Sequence, residues 1–180
     1  SRQALRYAEA MAGRSGGAMT VTYANDPLLI AAAAAALHDR QVAKRSLGEL
    51  ESFVNQTLTT NRKRLRLTCR VSIGTPSDQI VKAAASRRFD LIVMGTHGLT
   101  GADRLLMGST TLSVLQRTNV PVLAIPRRGE ASGSPGPSWP GDRILAPLEL
   151  DSGSVREVEV AARLAQWFGA RLLAIHIVGH

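Results

Sequence analysis

The chain has 180 residues, 44% of them hydrophobic, enough to bury one full core and part of another. Its net charge of +8 and pI near 10.9 raise nucleic acid or anionic lipid as partners, yet basicity alone assigns neither. A single cysteine, Cys69, excludes an intrachain disulfide framework and fits a reducing compartment. The longest apolar run, residues 28–37, falls short of the roughly 20 residues a bilayer span needs. The lone cysteine fits a cytoplasmic location, which is the expectation here.

Ala4, Leu5, Ala8, Met11 and Ala12 recur at helical spacing, which predicts an amphipathic helix over residues 2–13. After the Ser15-Gly16-Gly17 turn, residues 18–24 read as a strand. Asp26-Pro27 supplies a cap and a proline at the first helical position. The alanines at 31–36 continue that helix toward residue 58, with a break expected near Gly48. Residues 67–73 alternate as a strand with Leu67, Cys69, Val71 and Ile73 on one face. Thr75-Pro76 repeats the cap-plus-proline start and opens a helix to about residue 88. Residues 90–94 are a short apolar run of the kind buried on both faces of a parallel sheet. A glycine-bearing loop follows, then a helix over 111–117 and a short strand at 122–125 between Pro121 and Pro126. Strands alternating with helices imply an α/β fold with a doubly wound parallel sheet and right-handed crossovers.

Residues 127–141 are rich in Gly, Pro and Ser and read as a linker. Beyond it, 143–148 reads as a strand, 154–168 as a helix and 171–178 as a strand. This tail repeats the beginning: Ala8, Met11, Ala12 and Gly16 stand 153 positions before Ala161, Leu164, Ala165 and Gly169. On that offset residues 1–126 form one domain without an opening strand, and residues 142–180 are the start of a second, similar domain. Residues 142–148 are expected to fill the vacant central place in the first domain, from the same chain or from a partner.

The most specific feature is a glycine spacing: Gly95, two residues, Gly98, nine residues, then Gly108-Ser109. A strand, a glycine loop and a helix start together make an anion site, because unpaired N–H groups and the positive end of the helix dipole meet at one point. Gly95 and Gly98 let backbone approach a phosphate, and Ser109 and Thr110 add hydroxyl donors. The spacing is not that of a Walker P-loop, and no Gly-Lys-Ser/Thr occurs.

With these residues the chain resembles the universal stress protein family in its ATP-binding form. Gly74-Thr75-Pro76, Arg104-Leu105-Leu106 and Pro121-Val122-Leu123 extend the likeness, which is close over residues 71–126 and looser over 1–70. The resemblance implies a Rossmann-like, five-stranded sheet of order 3-2-1-4-5, with ATP, and Mg²⁺ on its phosphates, held at Met94, Gly95, His97, Gly98, Gly108, Ser109 and Thr110. It also implies a homodimer, or two tandem units pairing as a pseudo-dimer. Family members carry an Asp at the end of the first strand near the adenine; in the second unit that place falls at Glu149 or Asp151.

Other polar residues have simpler readings. Inside the motif His97 is assigned to phosphate contact over a solvent-facing role, whereas His38, His176 and His180 form no metal-ligating set. Arg62, Lys63, Arg64, Arg66 and Arg70 form the densest basic cluster, but aromatic residues are only 4% of the chain and none interleave with it, so a solvated edge is favoured over nucleic-acid binding. Ser109 lacks a Gly-x-Ser-x-Gly setting and a His/Asp pair, and Asp103 reads as a loop acid before a Mg²⁺ partner. No catalytic residue is assigned. The expected function is ATP binding in a regulatory or stress-response role. A weak ATPase or adenylyl-transfer enzyme using the same pocket, and a basic nucleic-acid-associated module, are the alternatives.

Overall fold

The computed structural model describes residues 2–28, 30–32, 42–59, 65–86, 89–96, 107–126, 143–149 and 151–176. The chain divides into two compact units, Ser1–Gly129 and Glu130–His180.

Unit 1 opens with helix α1 (Arg2–Ser15) and strand β1 (Ala18–Asn25). The helix stops because Gly16 turns into the left-handed region at φ 62°, letting the Gly17 N–H reach back to the Ala12 carbonyl at 3.1 Å. Asp26 then caps a helical turn, its Oδ1 accepting the Leu28 N–H at 2.8 Å. The alanine run from 33 to 36 and the basic residues 62–64 lie outside the described residues.

Helix α2 (Val42–Thr57) runs through Gly48 without the expected break. An interior glycine costs a helix about 1 kcal/mol, and here Leu50, Phe53 and Val54 pack against the core and offset that cost. Strand β2 (Arg66–Ile73) pairs in parallel with β1, from Ala18 opposite Arg66 to Asn25 opposite Ile73. The expected apolar face holds for Leu67, Cys69 and Val71 but slips at the end, where Ile73 is 51% exposed.

Helix α3 (Pro76–Ser86) leads to strand β3 (Ile92–Gly95), which starts two residues later than the apolar run predicts. Helix α4 (Ser109–Arg117) starts two residues earlier than predicted, because Gly108 takes the cap position and its carbonyl accepts the Leu112 N–H. Strand β4 (Val122–Ile125) pairs in parallel with β3, from Ile92 opposite Val122 to Gly95 opposite Ile125. An Arg117–Asp78 ion pair of 2.6 Å ties α4 to α3. The core centres on Leu5, Met19 and Val54, with Ala8, Ala12, Val21, Leu67 and Cys69 packed around them. Cys69 is thus a packing residue of the core.

Unit 2 consists of strand β5 (Arg143–Leu148), helix α5 (Ser154–Phe168) and strand β6 (Arg171–His176). β5 and β6 run parallel, Arg143 opposite Arg171 and Leu148 opposite His176, so the helix is a crossover. Gly169 ends α5 at φ 65°, and the Ala170 N–H reaches the Ala165 carbonyl at 2.8 Å. The expected linker at 127–141 lies outside the described residues. Among the described residues each strand pairs with one other only, β1 with β2, β3 with β4 and β5 with β6.

Candidate functional site

Two hydrogen bonds fix the junction between the end of β3 and the start of α4. The Gly108 N–H donates to the Thr96 carbonyl at 2.6 Å, and the Thr111 hydroxyl donates to the Gly95 carbonyl at 3.0 Å. The first joins Gly108 to Thr96; the second ties the helix to the strand. Thr111 is 2% exposed and Thr96 8%, so both bonds are sheltered from water. The Thr96 N–H continues the ladder to the Ile125 carbonyl at 2.9 Å, which anchors the junction to β4.

Gly108 has φ −59° and ψ 145°, a conformation any residue adopts. The backbone here therefore does not itself require glycine. Among the described residues no side chain caps α4, and the first N–H groups of a helix have no acceptor within it. These donors, with the Ser109 and Thr110 hydroxyls, stand at the positive end of the helix dipole.

Met94, Gly95, Gly108, Ser109 and Thr110 all line one cleft of about 870 Å³ in unit 1. The structure thus brings five of the seven sequence-assigned residues to one place, and His97 and Gly98 lie outside the described residues. Met19 to Tyr23 of β1 line the cleft, as do Leu91 and the β3 residues Ile92 to Gly95. Leu5, Leu50, Phe53 and Ile80 supply apolar lining, and Ser46, Glu49 and Arg70 supply polar groups.

Sequence reasoning missed Thr111, whose signal was a third hydroxyl residue directly after Ser109-Thr110. It also missed a pair at the carboxyl end of β1: the Ser46 hydroxyl donates to Asn25 Oδ1 at 3.1 Å, and Asn25 Nδ2 is buried with no partner among the described residues. Ser46 and Asn25 are 21 positions apart, and no local pattern in the sequence joins them. Arg70, grouped in sequence with a solvated basic cluster, also borders the cleft.

In unit 2 the two acids after β5, Glu149 and Asp151, sit in different settings. Glu149 is exposed. Asp151 is used locally: its Oδ1 accepts the Ser154 hydroxyl at 3.1 Å and the N–H groups of Ser154 and Gly153 at 3.0 and 2.9 Å. The Ser154 hydroxyl first, then the Ser154 and Gly153 N–H groups, hold this carboxyl below its ordinary value. His176 is exposed, with Nδ1 2.8 Å from the Leu148 carbonyl. Among the described residues no three His, Cys, Asp or Glu side chains gather as metal ligands, and no helix is long and apolar enough to cross a membrane.

Comparison with known proteins agrees with this architecture. The profile of the universal stress protein family matches residues 1–126. Universal stress protein MJ0577 of Methanocaldococcus jannaschii is 40% identical over 58 residues, 32% of this chain and 36% of that protein. The chain thus aligns with little more than a third of this relative's length. Universal stress protein UspA from Lactobacillus plantarum matches in structure with a TM-score of 0.50 and 28% identity, over 68% of this chain and 88% of that one. A universal stress protein from Archaeoglobus fulgidus covers 99% of this chain with 62% of its own, at a TM-score of 0.65 and 17% identity, a likeness of fold. From its first helix through β4, this chain belongs to the universal stress protein family.

Proposed function

We propose that unit 1 binds a nucleotide, ATP with Mg²⁺, at the carboxyl ends of β3 and β4, as a regulatory ligand of a cytoplasmic stress-response protein. The observation that carries this reading is the start of α4: a helix with no side-chain cap among the described residues, opened by Gly108-Ser109-Thr110 and lining a cleft beside Gly95. Phosphate oxygens are the natural acceptors for such donors. In open α/β sheets ligands bind outside the carboxyl ends of strands, where these residues stand. In this reading Met94 sits against the nucleoside, Gly95 and Gly98 give access to backbone, His97 contacts phosphate, and Ser109 and Thr110 donate to phosphate oxygens.

Isothermal titration with ATP and Mg²⁺ tests the reading, and Gly108→Val sharpens it. The variant keeps an allowed backbone but places a branched side chain where the phosphate would approach. Losing one or two hydrogen bonds to a charged group, each worth about 1.5–3 kcal/mol, weakens binding by roughly tenfold or more. Absence of binding by the parent chain, or equal binding by the variant, overturns it. A steady-state phosphate-release assay on the same two proteins separates a regulatory ligand from a hydrolysed substrate.

We also infer that the chain joins one such domain to the beginning of another. The 153-residue offset supports this: it carries Gly16 onto Gly169 and the Gly17-to-Ala12 bond onto the Ala170-to-Ala165 bond. A solved family member long enough to cover the whole chain with 62% of its own length is consistent with it.

A further inference from the structure

The two parallel strand pairs of unit 1 differ in what their faces carry. β3 (Ile-Val-Met-Gly) and β4 (Val-Leu-Ala-Ile) are continuous apolar runs, as strands covered on both faces are. β1 and β2 alternate instead, although they too run parallel. Met19, Val21, Leu67 and Cys69 pack with Leu5 and Val54, so one face of this pair is covered by the core. By the period of two, the opposite face carries Thr20, Thr22, Thr68 and Arg70, with Arg66 and Ser72 at its ends. Thr22, Arg66, Thr68 and Arg70 are exposed. A parallel pair with one apolar face and one polar, solvent-facing face departs from the rule for such sheets.

The charge on the polar face has one sign. Neither strand holds an Asp or Glu, and among the described residues Arg70 has no ion-pair partner. Arg66 spends one of its five N–H donors on the Gly16 carbonyl, at 2.8 Å, which holds its guanidinium in place. At a rise of about 3.3 Å per residue, Arg66 and Arg70 stand about 13 Å apart along β2. Thr68 lies between them with Thr20 opposite it, and Thr22 is opposite Arg70. Charge on β2 alone would read as protection of an edge against unwanted pairing. That does not account for the hydroxyls that β1 places on the same face, because threonine carries no charge to repel a neighbour.

We propose that this face of the β1–β2 pair is a docking surface for the phosphate backbone of duplex nucleic acid. Arginine and hydroxyl side chains together are the groups that hold phosphate oxygens and fix a protein on a duplex. No aromatic residue stands on this face, so unpaired bases have nothing to stack on. A duplex, with its phosphates outward and its bases paired, fits better than a single strand. Such a contact answers to charge and not to sequence. The proposal is independent of what the start of α4 binds.

Fluorescence anisotropy of the full chain with a labelled random duplex of about 20 base pairs, across about 50 to 200 mM salt, tests it. The parent is expected to bind at roughly 10⁻⁴–10⁻⁶ M, the range of non-specific contacts, and to weaken as salt rises. Arg66→Gln with Arg70→Gln removes two phosphate contacts, so the slope of log affinity against log salt should fall by about 1.8 and low-salt affinity by roughly tenfold. Arg6→Gln with Lys44→Gln takes the same charge from exposed positions on α1 and α2, the helices whose residues pack on the other face, and should leave the slope nearly unchanged. Thr68→Arg adds a third cation to the polar face and should steepen the slope by about 0.9, a gain that loss of fold cannot imitate. The proposal is overturned if the parent does not bind at the low-salt end, or if the double arginine variant keeps the parental slope and circular dichroism. Equal losses in the two double variants would make net charge the cause, and equal affinity for polyglutamate of matched charge would make the surface one for acidic peptides; either result also overturns it.

Discussion

α1 followed by β1 and α5 followed by β6 are built alike. Each helix ends on a glycine at positive φ, 62° and 65°, each has the residue after that glycine bonded back five positions, and each leads into a parallel strand. Their surroundings differ. β1 lies over a core where Leu5, Met19 and Val54 are at most 8% exposed, whereas in unit 2 Leu145 is 58% and Leu173 61% exposed. Local geometry therefore follows from local sequence, while burial depends on which further elements the chain supplies. α2 and β2 complete unit 1 on the side where β6 has no described neighbour.

The sharpest way to break the comparison is to remove what only unit 1 has. Val54 on α2 is fully buried against Leu5 and Met19, and Val54→Ala deletes two methyl groups and leaves a cavity. The expected loss is about 2 kcal/mol, seen as a lower midpoint in the urea unfolding curve followed by far-ultraviolet circular dichroism. Trp167 lies on α5 of unit 2, so its emission in a Trp139→Phe background reads that unit separately. The gap between the two transitions measures how far unit 2 stands without unit 1.

A smaller and more exacting test uses what the two regions share. A Cβ at Gly16 or Gly169 would meet nothing within 4 Å, so alanine at either site costs only the left-handed backbone. That cost is about 1 kcal/mol, and Gly16→Ala and Gly169→Ala are expected to destabilise their own units by the same amount. Asn, which tolerates this conformation, recovers part of the loss at both. Markedly unequal losses would show that the two caps are alike in form only.

Much of this architecture was legible because its signals are local. Glycine caps, Asp26-Pro27 and Thr75-Pro76 starts, and apolar runs between prolines fix elements within a few residues of themselves. β4, β5 and α5 accordingly fall where the sequence puts them. Gly48 misled because a helix interior tolerates a glycine when Val54 is buried and Leu50 and Phe53 pack against the core, a fact of packing and not of propensity. The glycine spacing located Gly95 and Gly108, but not the bonds that lock them. Thr111 to Gly95 and Ser46 to Asn25 join residues 16 and 21 positions apart, and only the folded chain brings them together.

The smallest expected effect concerns the start of α5. Asp151 lies at the surface, so its bonds to Ser154 and Gly153 are screened by solvent and salt, and the contribution is modest. Its sign is nonetheless fixed. Folding lowers this carboxyl below its ordinary value of 3.8, so its stabilisation is present above that pH and fades as pH falls through the lower folded value. Asp151→Ala is expected to be less stable than the parent by a constant margin from pH 7 down to about 5, and the margin should shrink below about 4. Ser154→Ala separates the cause from the consequence. The Ser154 hydroxyl is the largest contributor to the shift, so its removal should move the Asp151 carboxyl back toward 3.8 in a carbon-detected NMR titration. An Asp151 that titrates unchanged in Ser154→Ala would assign the shift to the backbone N–H groups of the turn, and α5 would then owe its start to the Asp151-Gly153 geometry alone.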